Sequence, residues 1–134
     1  MTLSNFDDLL LAARAQPVPQ RLLFVFAGVE LPDDSTQKQR DDFAAGQGGA
    51  LVPLMFVDKS ADELEDFGAL ARESLQMGQD WRIVFAAAMP GRGALAPSGA
   101  DAEPVLHRMV ESIRQGRHAE YMPFDRQGDP VIFG

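Results

Sequence analysis

The sequence predicts an α/β fold: a three-layer α/β/α sandwich around a mostly parallel mixed sheet of about five strands, ending in a C-terminal β-hairpin. Three near-continuous apolar runs have the length of strands, over 21–29, 50–57 and 81–89. Helical patterns of apolar residues separate these runs, and such alternation is typical of parallel strands joined by right-handed crossovers. Two short apolar pieces near the end flank a glycine-containing turn, which indicates the hairpin.

Length and composition indicate one domain over residues 1–134. The chain has a hydrophobic fraction of 46% and contains no repeat, linker or low-complexity tract. It has no cysteine, which excludes disulfides, thiolate metal sites, iron–sulfur clusters and thiol nucleophiles. The acidic start of the chain does not resemble a secretory signal, and no apolar run approaches the ~18 residues of a membrane span. We therefore expect a cytoplasmic protein.

The first two elements are a helix and a strand. A helix is predicted from Ser4, whose hydroxyl can cap it, and Pro17 ends it. The strand from Arg21 to Val29 contains five successive apolar residues, over 22–26. Such an uninterrupted run is typical of a strand that is buried on both faces.

A weak polar helix over 36–45 precedes the second strand, which spans 50–57. Pro53 lies inside this strand and cannot donate to a sheet ladder, so it indicates a bulge or an edge position. Ser60 and Glu63 have the spacing of a capping box and predict the start of the next helix, which Gly78 ends.

The strand over 81–89 is followed by a loop over 90–99 that is rich in Gly and Pro. Asp101 is the predicted cap of a fourth helix, and Gly116 its stop. The two arms of the hairpin are predicted at 120–124 and 130–133.

The candidate ligand-binding residues follow predicted strands: Glu30 the first strand, Asp58 and Lys59 the second, and Arg92 and Ser98 the third. Because the carboxyl ends of parallel strands meet at one edge of a sheet, we expect these side chains around one crevice. Arg92, Ser98 and the following helix start suit a small phosphate or carboxylate. Carboxylates at strand ends can hold a hard cation such as magnesium, but solvated turn residues are the preferred interpretation of these acids.

No residue pattern predicts catalysis, a cofactor or a metal. The stretch 91–96 formally fits the glycine-rich dinucleotide fingerprint, but Pro97 to Gly99 intervene before any helix, whereas the motif needs a helix to begin inside it. His107 and His118 lack metal-ligand spacing, and no serine has the context of a nucleophile elbow. The loop over 90–99 is therefore interpreted as either a flexible connection or part of a small-anion site.

The closing hairpin offers candidate interface residues in Tyr121, Phe124 and Phe133. Short strands at the end of a sheet leave an edge that invites pairing. A homodimer that buries the hairpin is the preferred hypothesis, and an edge covered within the monomer is the alternative.

Charge limits the choice of partners. Twelve basic and twenty acidic residues give a formal net charge of -8, and residues 1–67 carry most of the excess acid. Such a surface repels phosphodiester backbones and anionic lipids, so we expect neither nucleic acid nor membrane as a partner. The acidic half is interpreted as a solvated surface or as the binding face for an unidentified protein.

Four stretches resemble a group of short bacterial proteins that carry the name "ribonucleotide reductase subunit alpha". They are Arg21-Leu22-Leu23-Phe24-Val25-Phe26, Val57-Asp58-Lys59, Ser74-Leu75-Gln76-Met77-Gly78 and Phe124-Asp125-Arg126-Gln127-Gly128. The resemblance extends over nearly the whole chain and implies no catalytic residues. A reductase catalytic subunit is several times longer and reacts through cysteines, so the absence of cysteine excludes that activity here.

Two classes of function follow. The first is a non-catalytic cytoplasmic interaction or regulatory module, homodimeric, that uses its acidic face or its hairpin. The second is a small-ligand protein or enzyme that uses the predicted crevice. We favour the first, because every candidate catalytic group also has a simpler structural explanation.

Overall fold

The computed structural model describes residues 5–31, 33–45 and 49–131. Four helices and four strands alternate along the described chain. They are α1 (Phe6–Arg14), β1 (Gln20–Glu30), α2 (Gln37–Ala44), β2 (Ala50–Ser60), α3 (Phe67–Leu75), β3 (Ile83–Pro90), α4 (Gly99–Arg114) and β4 (Met122–Phe124). None of the helices in these ranges is long and apolar enough to cross a membrane.

The strands form one open sheet in the order β2-β1-β3-β4, and every neighbouring pair is antiparallel. The predicted mostly parallel sheet of about five strands is therefore wrong. The α3 crossover does join two strands of the same direction, because β2 and β3 both run antiparallel to β1. However, β2 and β3 lie on either side of β1, so no parallel strands are neighbours.

The predicted C-terminal hairpin is also smaller than expected. Its first arm is the three-residue strand β4. Its second arm is reduced, among the described residues, to one antiparallel bridge between Phe124 and Pro130. The rest of the predicted arm, residues 132–133, lies outside the described part of the chain. A fifth strand is therefore not part of the described sheet.

The core is organised around β1, whose residues 22–27 are all buried. Alternate side chains of a strand point to opposite faces of the sheet. Leu22, Phe24 and Phe26 pack with buried residues of α1 and α3 on one face. Leu23 and Val25 pack with buried residues of α4 on the other. The prediction of a strand buried on both faces is confirmed.

Pro53 marks an edge strand and a bulge, as the sequence predicted. Phe26 pairs with Met55 whereas Ala27 pairs with Pro53, so Leu54 is one additional residue in the register. A bulge of this kind leaves the extra residue unpaired and bends its strand. The bulge divides β2 into a first part that contains the proline and a regular second part from Met55 onward.

The predicted capping box at Ser60 and Glu63 forms, but not at the start of α3. The predicted cap Asp101 is the third residue of α4, whose cap is Ser98. Ser60 and Glu63 do exchange the two hydrogen bonds of a capping box, at 2.9 and 3.3 Å. Nevertheless α3 begins only at Phe67, where Asp66 is the cap. The intervening residues include the buried Ala61 and Leu64, so this segment covers part of the core before the helix begins.

A tight turn near the end of the chain fastens the first helix. The Asp125 carboxylate accepts the backbone N–H groups of Gln127 and Asp129, at 2.8 and 3.0 Å. Gly128 lies between them with a φ of +82°, and its carbonyl accepts the N–H of Phe6 at 2.8 Å. A Cβ added at Gly128 would lie 3.0 Å from the Phe67 ring.

Gly128→Ala should therefore destabilise the fold more than Gly78→Ala. Both glycines have positive φ, at +82° and +73°, but a Cβ at Gly78 meets no atom within 4 Å. Both variants should lose about 1–2 kcal/mol to backbone strain. Gly128→Ala should lose roughly 1–3 kcal/mol more, because the Phe67 ring must move. Urea unfolding measures both losses, and equal losses would show that the contact with Phe67 is unimportant.

Candidate functional site

The antiparallel sheet separates Glu30 from the other predicted ligand-binding residues. Asp58 pairs with Leu23 near the start of β1, whereas Glu30 pairs with Ala50 at its end. Seven residues of strand separate the two positions, or roughly 23 Å at about 3.3 Å per residue. Glu30 therefore does not share a site with Asp58. The expectation of one crevice fails for Glu30, because β1 runs antiparallel to β2 and β3. The carboxyl ends of β2 and β3 lie together, opposite Arg21 and Gln20 at the start of β1.

Asp58 and Lys59 are separated in a different way. They are successive residues of β2, so their side chains point to opposite faces of the sheet. Asp58 lies on the face covered by α4. Lys59 lies on the other face, where its Nζ is 2.9 Å from Oε1 of Glu73 on α3. The Lys59 ammonium is thus paired away from the predicted crevice.

The Asp58 carboxylate is paired with Arg21 of the neighbouring strand. Arg21 Nη2 lies 2.5 Å and Nε 2.6 Å from Asp58 Oδ2. Arg21 Nη1 also donates to the carbonyl of Pro97 at 3.5 Å, just before α4 begins. A Cβ on Gly99 would lie 3.5 Å from Asp58 Oδ2. The ion pair therefore attaches the start of α4 to the sheet, and its carboxylate already has a cationic partner.

Ser98 is the N-cap of α4. Its Oγ accepts the N–H of Asp101 at 3.1 Å, and Asp101 Oδ2 accepts the N–H of Ser98 at 2.9 Å. The backbone bond from Ser98, then the bond from its hydroxyl, and then the nearby positive charge of Arg92 lower the pKa of Asp101. Because Asp101 already places a carboxylate at this helix start, a second anion would meet repulsion there.

The rest of the described chain contains no cluster of potentially metal-binding side chains and no buried polar side-chain atom without a partner. No three Asp, Glu or His side chains within the described ranges could hold a metal ion together. Every buried side-chain N or O atom in those ranges has a hydrogen-bond partner. A half-open cleft of about 380 Å³ lies near the end of β1, lined by Leu31, Asp34, Ser35, Gln39, Gly49 and Ala50. Its Gln39 is engaged in the capping box of α2 with Thr36.

The residues predicted for a hairpin interface have other positions. Phe124 is only 2% exposed and belongs to the core, with its ring 5.3 Å from that of Phe6. Tyr121 is half-buried and its hydroxyl lies 3.5 Å from Ser112 Oγ. Phe133 lies outside the described residues. Val131 N–H donates to the Pro123 carbonyl at 3.0 Å, so β4 is partly covered within the monomer.

Two distant stretches of the chain, 74–78 and 124–128, meet at Trp81 in the interior. The indole Nε1 of Trp81 donates to Ser74 Oγ at 2.8 Å. Arg126 Nε donates to the Trp81 carbonyl at 2.7 Å, and Arg126 Nη2 lies 2.6 Å from Asp80 Oδ1. These residues hold the end of α3, the start of β3 and the last turn together, so the structure assigns them a structural role.

The surface that sequence reasoning missed is the outer edge of β2. Among the described residues β2 pairs only with β1, although it is eleven residues long. Its residues 51–57 carry no charge. Phe56 is 43% exposed on the face of α4, with its ring 5.7 Å from that of His107. Met55 and Val57 are half-buried on the opposite face. Pro53 was the available signal, since it indicated an edge.

Such an edge is suited to recognition rather than catalysis. Its unpaired backbone groups can hydrogen-bond an added strand, and its apolar side chains can cover that strand on both faces. Comparisons with protein-family models, with curated proteins and with solved structures found no match.

Asp58→Asn should destabilise the protein more than Glu73→Gln. The first change weakens an ion pair that also positions the Pro97 carbonyl, and we expect a loss of about 1–2 kcal/mol. The second changes an ion pair with a more exposed acid, and we expect less than about 1 kcal/mol. Urea unfolding of both variants measures the difference. Equal losses would show that the Arg21–Asp58 pair does not anchor α4.

The free energy of unfolding should depend on pH through the charge of the Asp101 side chain. A carboxylate whose pKa is lowered by folding stabilises the protein above its unfolded pKa, and this stabilisation is lost as the pH falls through the folded value. The difference in unfolding free energy between the parent and Asp101→Asn should therefore have its largest value at about pH 6. It should decrease as the pH falls and vanish toward about pH 2. Ser98→Ala should reduce this pH dependence. A difference that stays constant with pH would contradict the role of the charge.

Proposed function

We propose that this protein is a non-catalytic interaction module that binds an extended, uncharged, apolar segment along the outer edge of β2. The observation that carries this proposal is an edge strand with an uncharged stretch over 51–57 and a Phe56 side chain that is 43% exposed. Strand addition to such an edge is a recurring mode of peptide recognition. Backbone hydrogen bonds supply affinity in this mode, and side chains at alternate positions supply selectivity.

The two faces of the edge offer different contacts to an added strand. On the side of α4, Phe56 and His107 present two rings in an edge-on arrangement. On the other side, Met55 and Val57 extend the core cluster toward the surface. A bound strand with consecutive apolar residues would therefore bury apolar side chains on both faces, which favours an apolar segment over a polar one.

Both ends of this surface are protected against uncontrolled pairing. Pro53 lacks an N–H, and the bulge at Leu54 interrupts the regular ladder. At the other end, Asp58 and Lys59 introduce charges, which discourage continued pairing of an edge strand. The accessible segment is thus confined to a few residues around Phe56. Proteins use such devices to avoid aggregation, so a short unprotected stretch is consistent with regulated binding.

The alternative of a small-ligand site has less support. Glu30 lies at the opposite end of the sheet, Lys59 faces away from Asp58, and Ser98 is occupied as a helix cap. A net charge of -8 also disfavours binding of nucleic acid and of anionic lipids. The absence of cysteine is compatible with the cytoplasmic location that we expect for such a module.

A labelled peptide of residues 50–60 should bind the full chain, and Phe56→Lys should abolish or weaken that binding by about tenfold or more, or ~1.4 kcal/mol. The inserted charge would have to be desolvated against the added strand. Fluorescence anisotropy measures the affinity. Leu75→Lys is the matched control, since Leu75 is 65% exposed on α3 and lies off the edge.

Thermal unfolding should show that both lysine variants remain folded, because both positions are substantially exposed. If the parent shows no saturable binding of the peptide, the edge does not accept a strand. If Leu75→Lys weakens binding as much as Phe56→Lys, the peptide binds elsewhere. Either result would overturn the proposal.

A further inference from the structure

We infer that the segment bound by β2 is the β2 strand of a second copy of this chain, paired antiparallel with Phe56 facing Phe56 of the copy. This inference rests on the proposed function and names its partner. It would join two four-stranded sheets into one continuous sheet of eight strands. The interface would then lie at β2, and not at the C-terminal residues that the sequence indicated.

Symmetry restricts how two copies of one strand can pair. An antiparallel pair of identical edge strands is related by a two-fold axis perpendicular to the sheet. The axis lies between the two strands, midway between one central residue and its copy, and residues before the central one face residues after it in the other strand. Both α4 helices then lie on the same face of the joined sheet. The choice of register is therefore the choice of one central residue.

The sequence of β2 favours Phe56 as the central residue. In that register Phe56 faces its copy, and Met55 faces Val57 of the second copy, so every pair next to the axis is apolar. Directly opposed aromatic and aliphatic pairs are the contacts that stabilise antiparallel strands.

The two neighbouring registers are poorer. With Val57 at the centre, Phe56 would face Asp58 of the copy and Met55 would face Lys59. Apolar side chains would then oppose charged ones. With Met55 at the centre, Phe56 would face Leu54, the extra residue of the bulge, and Val57 would face a proline without an N–H. The register on Phe56 keeps its three central pairs in the regular, uncharged part of the strand, and it opposes Leu54 to Asp58 only beyond them.

Charge also favours this surface for self-association. Each copy carries a net charge of -8, so two copies repel each other at most orientations. At β2 the adjacent charges are neutralised within each chain, Asp58 by Arg21 and Lys59 by Glu73. The two charges that β2 itself carries are thus paired within each chain. Added salt screens the remaining repulsion, so we expect salt to strengthen the dimer.

The shared segment is short, and the dimer should therefore be concentration-dependent. Sedimentation velocity on the full chain should show a shift from monomer to dimer as the protein concentration rises into the micromolar range, and a larger dimer fraction at higher salt. Phe56→Lys should remain monomeric, because two lysines would be opposed at the axis. Leu75→Lys should dimerise as the parent does.

Cysteine capture tests the register directly, since the chain has no cysteine of its own. Opposed residues of antiparallel strands bring their Cβ atoms to about 4.5–5.5 Å, close enough for a disulfide after a small adjustment. Phe56→Cys should form a covalent dimer rapidly in a glutathione redox buffer, as seen on a non-reducing gel. Leu75→Cys, which is more exposed, should form one much more slowly.

Each remaining outcome decides between the two proposals. If the peptide of residues 50–60 binds but the chain stays monomeric at all concentrations, the inference of a homodimer fails and strand addition stands. If neither binding nor dimerisation occurs, both fail. If a dimer forms but persists in Phe56→Lys, or if both cysteine variants cross-link equally, the interface lies elsewhere and the inference is overturned.

Discussion

The burial of β1 on both faces is the constraint on which the rest of the structure depends. Six successive residues, 22–27, are buried, so helices must cover the sheet on both sides. The even-numbered residues pack against α1 and α3, and the odd-numbered ones against α4. A central strand that is covered twice also needs a neighbour on each side, and β2 and β3 take these two positions. The edge position of β2 follows from this arrangement.

Local features were predictable because they depend on neighbouring residues alone. The apolar run of β1 indicated a doubly buried strand, and Pro53 indicated both the bulge and the edge. Ser60 and Glu63 formed the predicted hydrogen bonds even though the helix starts later, at Phe67. The bonds depend on a spacing of three residues, whereas the helix start depends on how much chain is needed to cover the core.

Strand direction was not predictable in the same way. A helix between two strands is compatible with parallel neighbours and equally with a crossover that passes over a third strand, which is how α3 joins β2 to β3. The candidate crevice relied on three strands of one direction, so it lost Glu30, because β1 runs antiparallel to β2 and β3. Asp58 and Lys59 also acquired partners, Arg21 and Glu73, that no local pattern connects to them. The charges that indicated a ligand site instead attach elements of the fold to one another.

The same physical requirement explains why an apolar surface remains at β2. The strand must be apolar on both sides because α4 reaches over one of its faces, where His107 meets Phe56, and the core cluster extends under the other, at Met55 and Val57. The backbone groups of a strand in the middle of a sheet hydrogen-bond to two neighbouring strands, but β2 has only one such neighbour within the described chain. The proline, the bulge and the flanking charges protect the ends of this edge and leave its centre open. In the proposed dimer, a second β2 strand hydrogen-bonds to that centre and covers its apolar side chains with the same residue types.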